Sequence, residues 1–352
     1  MADEPQARSM TRRGLGGATM GSVTNTPARI ELALAPTPIM KLERVSRRLG
    51  VELYMKRDDL TGMLESGNKI RKLEFLVGDA LSQGADTLIT VGTLQSNCCR
   101  AVSAVAARLG LRAVVAVKGP RPAEYDGNLL LNRMLGADVR YLSDEEFTHY
   151  PATLEAISQE VRRGGGTPYV IPESGSNEVG ALGYLECAVE LAEQIGHGAP
   201  RFDTIAVTAF SGGSQAGLLM GKQLAGLPSE IVSVPIAFSA DRVRAYVAET
   251  IGKAVARFGF AIDVPKTVHV LDGYQGAGRA GVDDAELSLL IELAREEGVM
   301  LDPVYTAKAF GGLLDTLQRD PKALGQRVCF IHTGGIFSLF PLRESLTRLL
   351  DS

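Results

Sequence analysis

From about Lys69 onward, short apolar segments alternate with helical runs of ten or more residues, and this rhythm limits the possible folds more than any other feature. Ile70, Leu73, Val77 and Ala80 or Leu81 recur on one helical face, and Gly84 stops the run. Residues 86–91 then read as a strand, 98–109 as a helix ended by Gly110, and 111–117 as the next strand. A helix over 128–135 ends at Gly136, and 139–142 is again a strand. Further strands are expected at 169–171, 204–208, 231–234, 267–271 and 328–331. Upstream, the Pro36-Thr37-Pro38 turn leads into a short helix with Leu42, Val45 and Leu49, followed by a strand at 53–55. Strands separated by helices of this length run parallel and are covered on both faces. The fold class is therefore α/β. Open twisted sheets and a closed eightfold barrel both satisfy the alternation.

Composition narrows the function classes. A net charge of −4 without a basic stripe argues against a nucleic-acid partner. The longest apolar runs fall short of a membrane span. Four cysteines, two of them adjacent at Cys98-Cys99, have neither metal-ligand spacing nor a disulfide framework, which fits a reducing cytoplasm and no metal. A chain of 352 residues suffices for one large domain or two ordinary ones. Residues 1–28 are rich in Gly, Ser, Thr and Arg without an apolar period, and read as a flexible arm. Arg12-Arg13 is not followed by the apolar stretch that an export signal requires.

Two stretches stand out chemically. Lys69 follows Ser66-Gly67-Asn68 at the mouth of a helix, with Arg71 and Lys72 beside it. The positive end of the helix dipole and the neighbouring cations disfavour another charge, which suits a nucleophilic amine. Taken alone, such a lysine is more often a surface residue. The second stretch, Phe210-Ser211-Gly212-Gly213-Ser214-Gln215-Ala216-Gly217, follows a strand and precedes an apolar helical run over 218–224. Its backbone amides, the helix dipole and the hydroxyls of Ser211 and Ser214 form a phosphate cradle. It has neither the Gly-Lys-[Ser/Thr] ending of a nucleoside-triphosphate loop nor a dinucleotide fingerprint. A Gly/Ser turn after a strand is commonly only a turn. Gln95-Ser96-Asn97 lies at a strand-to-helix junction, where helix capping explains one of the three.

Four blocks in order, Ser66-Gly67-Asn68-Lys69-Ile70-Arg71-Lys72, Gln95-Ser96-Asn97, Asp302-Pro303-Val304-Tyr305-Thr306 and His332-Thr333-Gly334-Gly335, resemble the D-cysteine desulfhydrase and 1-aminocyclopropane-1-carboxylate deaminase family. The resemblance extends from about Pro36 to Leu342. It implies pyridoxal 5'-phosphate as cofactor and fold type II, with two open, mostly parallel twisted sheets. The position of Lys69 at a helix start agrees with that, since barrel enzymes using this cofactor carry their lysine at a strand end. The family plan further implies a large domain of residues 29–71 and 181–352, a small domain of residues 72–180, and a homodimer.

Residue by residue, the resemblance implies that Lys69 holds the cofactor covalently and abstracts the substrate's α-proton. It places Asn97 beside the cofactor's phenolic oxygen and Ser211, Gly212, Gly213 and Ser214 around its phosphate. Thr306 and Thr333 fall near the pyridine nitrogen, where hydroxyls make a weaker electron sink than a carboxylate. Ser96, with Gln95 and Asn97, holds the substrate carboxylate, and Tyr305 lies near cofactor and substrate. Cyclopropane-type deaminases have a glutamate at the position of Thr306, which tilts the reading towards β-elimination from a small amino acid, giving a 2-keto acid and ammonia. β-Replacement, ring opening and a non-catalytic binding role are the competing readings. Cys98 stands where the family has histidine, and Gly276-Ala277-Gly278-Arg279-Ala280-Gly281 replaces a Gly-Tyr-Gly stretch. Arg279 there would suit an anionic group on the substrate.

Overall fold

A computed structural model describes residues 26–275 and 281–352. Residues 1–25 of the expected arm and Arg279 lie outside the described residues. The chain runs β1 (Ile39–Lys41), α1 (Glu43–Leu49), β2 (Glu52–Lys56), α2 (Asn68–Ser82), β3 (Thr87–Thr93), α3 (Asn97–Leu109), β4 (Arg112–Lys118), α4 (Gly127–Met134) and β5 (Asp138–Leu142). It continues through α5 (Asp144–Thr148), α6 (Tyr150–Arg163), β6 (Pro168–Val170), α7 (Glu178–Gly196), β7 (Thr204–Ala209), α8 (Gly213–Ala225), β8 (Glu230–Pro235) and α9 (Ala240–Phe258). The last elements are β9 (His269–Val270), α10 (Asp284–Glu297), α11 (Thr306–Arg319), β10 (Arg327–Ile331) and α12 (Arg343–Leu350).

The strands form two open sheets, in the orders β1-β2-β10-β7-β8-β9 and β5-β4-β3-β6. Every pairing is parallel except β1 with β2, where Met40 faces Met55. This settles the choice between open sheets and a barrel. The antiparallel edge strand β1 escapes the sequence reading because it lies before the strand–helix alternation begins, between the Pro36-Thr37-Pro38 turn and α1. The strand expected at 267–271 shortens to His269–Val270, at the sheet edge. Helix α8 begins at Gly213, five residues before its apolar run, so the glycine-rich turn is itself the first turn of the helix.

Apolar faces of α2, α3, α7, α8 and α9 share one core that contains Ile70, Leu73, Val102, Leu182, Ala216 and Val243. A second core joins β2 and β10 to α1, α10 and α11, with Phe310 set edge-on to Phe330 at 5.2 Å. Helices α2 and α7 approach so closely that a Cβ on Gly183 would run into the Arg71 carbonyl. Only glycine permits that separation.

A buried ionic cluster locks the same crossing. Arg71, 1% exposed, donates two bonds to Asp58 (2.9 and 2.8 Å) and two to Glu190 (2.8 and 3.1 Å). Lys56 pairs with Glu190 at 2.5 Å, while Tyr184 and Thr37 donate to Asp58 at 2.9 and 2.8 Å. Burial by itself would raise the Glu190 carboxyl, but Arg71 and Lys56 hold it at about 2. Two cations thus balance two carboxylates, and hydroxyls take up remaining lone pairs. Removing one partner strands the other's charge. Arg71→Met is expected to cost about 3–5 kcal/mol in chemical denaturation; a loss below about 1 kcal/mol would show that the cluster does not hold the crossing.

Candidate active site

The site forms where the C-terminal ends of β3, β7 and β10 meet the N-termini of α2, α3 and α8. Ligand sites in open parallel sheets lie at strand C-termini, and helix N-termini add positive potential there. The amide of Asn68 donates to the Thr333 carbonyl (3.1 Å) and that of Gly67 to the Thr61 hydroxyl (2.9 Å), pinning the start of α2 to the end of β10. Lys69 is the second residue of α2, and its Nζ donates to the Asn68 side chain at 3.0 Å.

One turn further on, Lys72 lines the same pocket, with its ammonium on Ser176 Oγ (2.9 Å) and the Ser174 carbonyl (3.5 Å). Burial, and then the charge of Lys69, lower the Lys72 amine to about 7. Lys72 is thus an amine of lowered basicity one turn beyond Lys69.

Phe210, Ser211, Gly212, Gly213 and Ser214 form the facing wall. A Cβ on Gly213 would lie 2.7 Å from Ser176 Oγ and 3.3 Å from Lys72 Nζ. Backbone amides, the α8 dipole and a buried ammonium thus converge on one spot, the donor set that a phosphate dianion takes. Thr208, at the end of β7, adds a pocket-lining hydroxyl that is buried without a hydrogen-bond partner. On these grounds the residues fit the phosphate of pyridoxal phosphate, with Lys69 in reach as the amine.

The structure brings Lys69, Ser96, Asn97, Ser211, Gly212, Gly213, Ser214, Tyr305 and Thr333 together around this pocket. Ser96 caps α3, its Oγ accepting from the Cys99 amide at 3.2 Å, which leaves its proton to donate elsewhere. The Asn97 side-chain oxygen accepts from Asn128 at 3.0 Å. Gln95 is turned away: its side chain bonds the Asn128 amide (2.8 Å) and the Asp126 carbonyl (3.1 Å), fastening α4.

Thr306 is fully buried and is not among the pocket-lining residues. Its hydroxyl donates to Asp302 Oδ1 and accepts from the Asp302 amide, both at 2.7 Å. Asp302 also accepts from the amides of Val304, Tyr305 and Thr306 (3.1, 3.0 and 2.7 Å), so it caps α11 and fixes Tyr305. Burial raises its carboxyl to about 6 against those bonds. Cys98 lines the pocket, its thiol pushed up by burial. His332 supports the following loop: its Nε2 lies 2.9 Å from the Met300 carbonyl and its Nδ1 accepts from the Gly334 amide.

Asn68, Lys72, Ser174, Ser176, Thr208 and Phe210 were not singled out from the sequence as site residues. Lys72 was within reach of sequence logic, since i and i+3 share a helix face. Ser174-Gly175-Ser176 is a second Gly/Ser turn after a strand, the pattern that drew attention to 211–214. Among the described residues no cluster could hold a metal, and no helix is long and apolar enough to cross a membrane.

Lys72 supplies a pH test on cofactor-free protein. An unfolded lysine titrates at about 10.4. Between about pH 7 and 10 the unfolded chain therefore keeps a proton that folded Lys72 has released. The cost of burying this cation is complete below pH 7 and shrinks as pH rises through that window. Lys72→Met should be more stable than wild type near pH 6–7, with the gain fading towards pH 10 in paired denaturation curves. A gain independent of pH would show that Lys72 is not the titrating group.

The family model for pyridoxal-phosphate-dependent enzymes matches residues 30–334. A D-cysteine desulfhydrase of Yersinia pestis is 40% identical over 317 residues, 89% of this chain and 95% of that protein. A proposed 1-aminocyclopropane-1-carboxylate deaminase of Pyrococcus abyssi is 38% identical over 323 residues, 92% and 96% of the two chains. The crystal structure of a homologue of 1-aminocyclopropane-1-carboxylate deaminase superposes with a TM-score of 0.84 at 36% identity, covering 92% of this chain and 96% of that one. A fungal L-serine ammonia-lyase from Rhizomucor miehei shares the fold, with a TM-score of 0.65 at 17% identity over 91% and 99% of the two chains. With the family model spanning most of its length and relatives at this identity over nearly all of it, the chain belongs to the pyridoxal-phosphate-dependent enzymes, in the group of the 1-aminocyclopropane-1-carboxylate deaminases and D-cysteine desulfhydrases.

Proposed function

We propose that the protein is a lyase that removes the α-proton and a β-substituent from a small amino acid, releasing a 2-keto acid and ammonia. The observation that carries this is the shared pocket: an amine at the mouth of α2 faces an anion cradle built from α8 and Lys72. Pyridoxal phosphate, once bound, supplies the electron sink that makes loss of the α-proton feasible. Lys69 would hold it covalently, and Ser211, Gly212, Gly213, Ser214 and Lys72 would hold its phosphate.

The Lys69 amine would be the base that takes the substrate's α-proton. Ser96 donates its hydroxyl proton to the substrate carboxylate, and Asn97, held by Asn128, sets the orientation beside it. The Tyr305 backbone, tied to Asp302, fixes that ring at the pocket wall. Elimination is favoured over cyclopropane ring opening because none of the described residues lining the pocket is acidic. Thr306 enters this reading differently from the sequence expectation: bonded to Asp302, it serves α11 rather than the pocket. Residues 72–180, which contain the four-stranded sheet, form the smaller domain of this reading.

The test is a panel of small amino acids, both enantiomers, scored for ammonia and keto acid without any added nucleophile. D-Cysteine and other substrates with good β-leaving groups should turn over, and 1-aminocyclopropane-1-carboxylate should be slower by tenfold or more, about 1.4 kcal/mol in the barrier. Lys69→Ala should abolish both turnover and the borohydride-reducible attachment of cofactor. Product that forms only with an added nucleophile would identify a replacement enzyme. Retained covalent attachment in the variant would remove Lys69 from its role.

A further inference from the structure

Among the described residues, Ser174 is the one non-glycine residue with a positive φ, at φ 61 and ψ 11. A side chain in this left-handed region crowds its own backbone, and glycine adopts it freely. The surroundings hold the turn in place. The amide of Gly175 bonds the Pro172 carbonyl (2.8 Å), and the Tyr246 hydroxyl donates to the Ser176 carbonyl (2.7 Å). Gly180, in the first turn of α7, packs directly on the Gly175 carbonyl. Strain over-determined in this way concentrates at functional sites. Ser174 is 9% exposed, and it lines the active-site pocket.

Its position within the pocket is specific. The Ser174 carbonyl and Ser176 Oγ both receive Lys72 Nζ, and the Ser176 side chain and Lys72 Nζ supply the three atoms nearest a Cβ on Gly213. The 174–176 turn therefore packs against the glycine-rich turn at Gly213, and both line the pocket beside Lys72 Nζ. A glycine at position 174 would give the same turn without strain, but no hydroxyl.

We propose that Ser174 is a ligand of the cofactor's phosphate, its hydroxyl donating to that group from the turn packed against Gly213. This rests on the reading of the 211–214 loop as the phosphate cradle. The left-handed backbone places Ser174 at the pocket wall with its carbonyl 3.5 Å from Lys72 Nζ, where its hydroxyl would reach the phosphate.

The experiment titrates cofactor-free protein with pyridoxal phosphate and, separately, with pyridoxal, which has no phosphate. Ser174→Gly relieves the strain, so its thermal midpoint should equal or exceed wild type, by about one or two degrees. It should nevertheless bind pyridoxal phosphate about tenfold more weakly, equivalent to ~1.4 kcal/mol, with pyridoxal affinity unchanged. Ser174→Ala keeps the strained backbone and should show the same selective loss without the gain in midpoint. If the glycine variant loses stability, the alanine variant decides alone. Pyridoxal phosphate affinity within twofold of wild type, or equal losses for both ligands, overturns the role of Ser174. Gly213→Leu separates the two levels of the claim. If it too leaves pyridoxal phosphate affinity intact, the phosphate cradle is elsewhere; if it alone weakens binding, only Ser174 has been misassigned.

Discussion

The active site depends on how the first turn of α2 is held. Successive residues of a helix point about 100° apart, so Lys69 and Lys72 share one side while Arg71 points to another. Arg71 is absorbed into the buried cluster with Asp58, Glu190 and Lys56. The two lysines are left in the pocket. Three closely spaced basic residues thus divide into one that anchors the helix and two that face the chemistry. The anchor is stiff because charges in low dielectric tolerate little displacement from their partners.

Lys69 and Lys72 would be hard to keep so close in an apolar interior. Burial first, and the Lys69 charge second, make the Lys72 ammonium more acidic. An incoming phosphate changes that balance, because an anion beside a buried ammonium favours its charged form. The three helix N-termini that line the pocket help to draw the anion in, because each brings the positive end of its dipole there. The site is built for a ligand with a dianion at one end and a reactive carbonyl at the other.

The sequence disclosed the α/β alternation because its strands and helices have strong, different periods and its helices end on glycine, while open sheets rather than a barrel followed only from the family resemblance and the place of Lys69 at a helix start. The edge strand β1 was illegible, since it stands outside the strand–helix alternation that revealed the others. Lys69, Ser96, Asn97 and the 211–214 loop were legible as motifs that sit at strand-to-helix junctions. Ser174 and Thr208 were not, because what sets them apart is a backbone angle and a hydroxyl left unpartnered by the fold. Gln95 and Thr306 show the opposite limit. Both stand within family blocks, yet hydrogen bonds to Asn128 and Asp302 turn their side chains to other work.

Gly183 has a consequence well beyond its own position. Because the α2 backbone rests against it at the Arg71 carbonyl, the location of both pocket lysines is set partly by a residue that never meets the ligand. Any side chain introduced there would lift the start of α2 away from β10, where the Asn68 amide meets Thr333. Drift in sequence is therefore constrained in pairs. Position 183 can accept a larger residue only if the chain around Lys69 shifts with it, and that shift would have to preserve the cradle at 211–214 as well. The divergence open to this α7 surface is governed by the chemistry of a different helix.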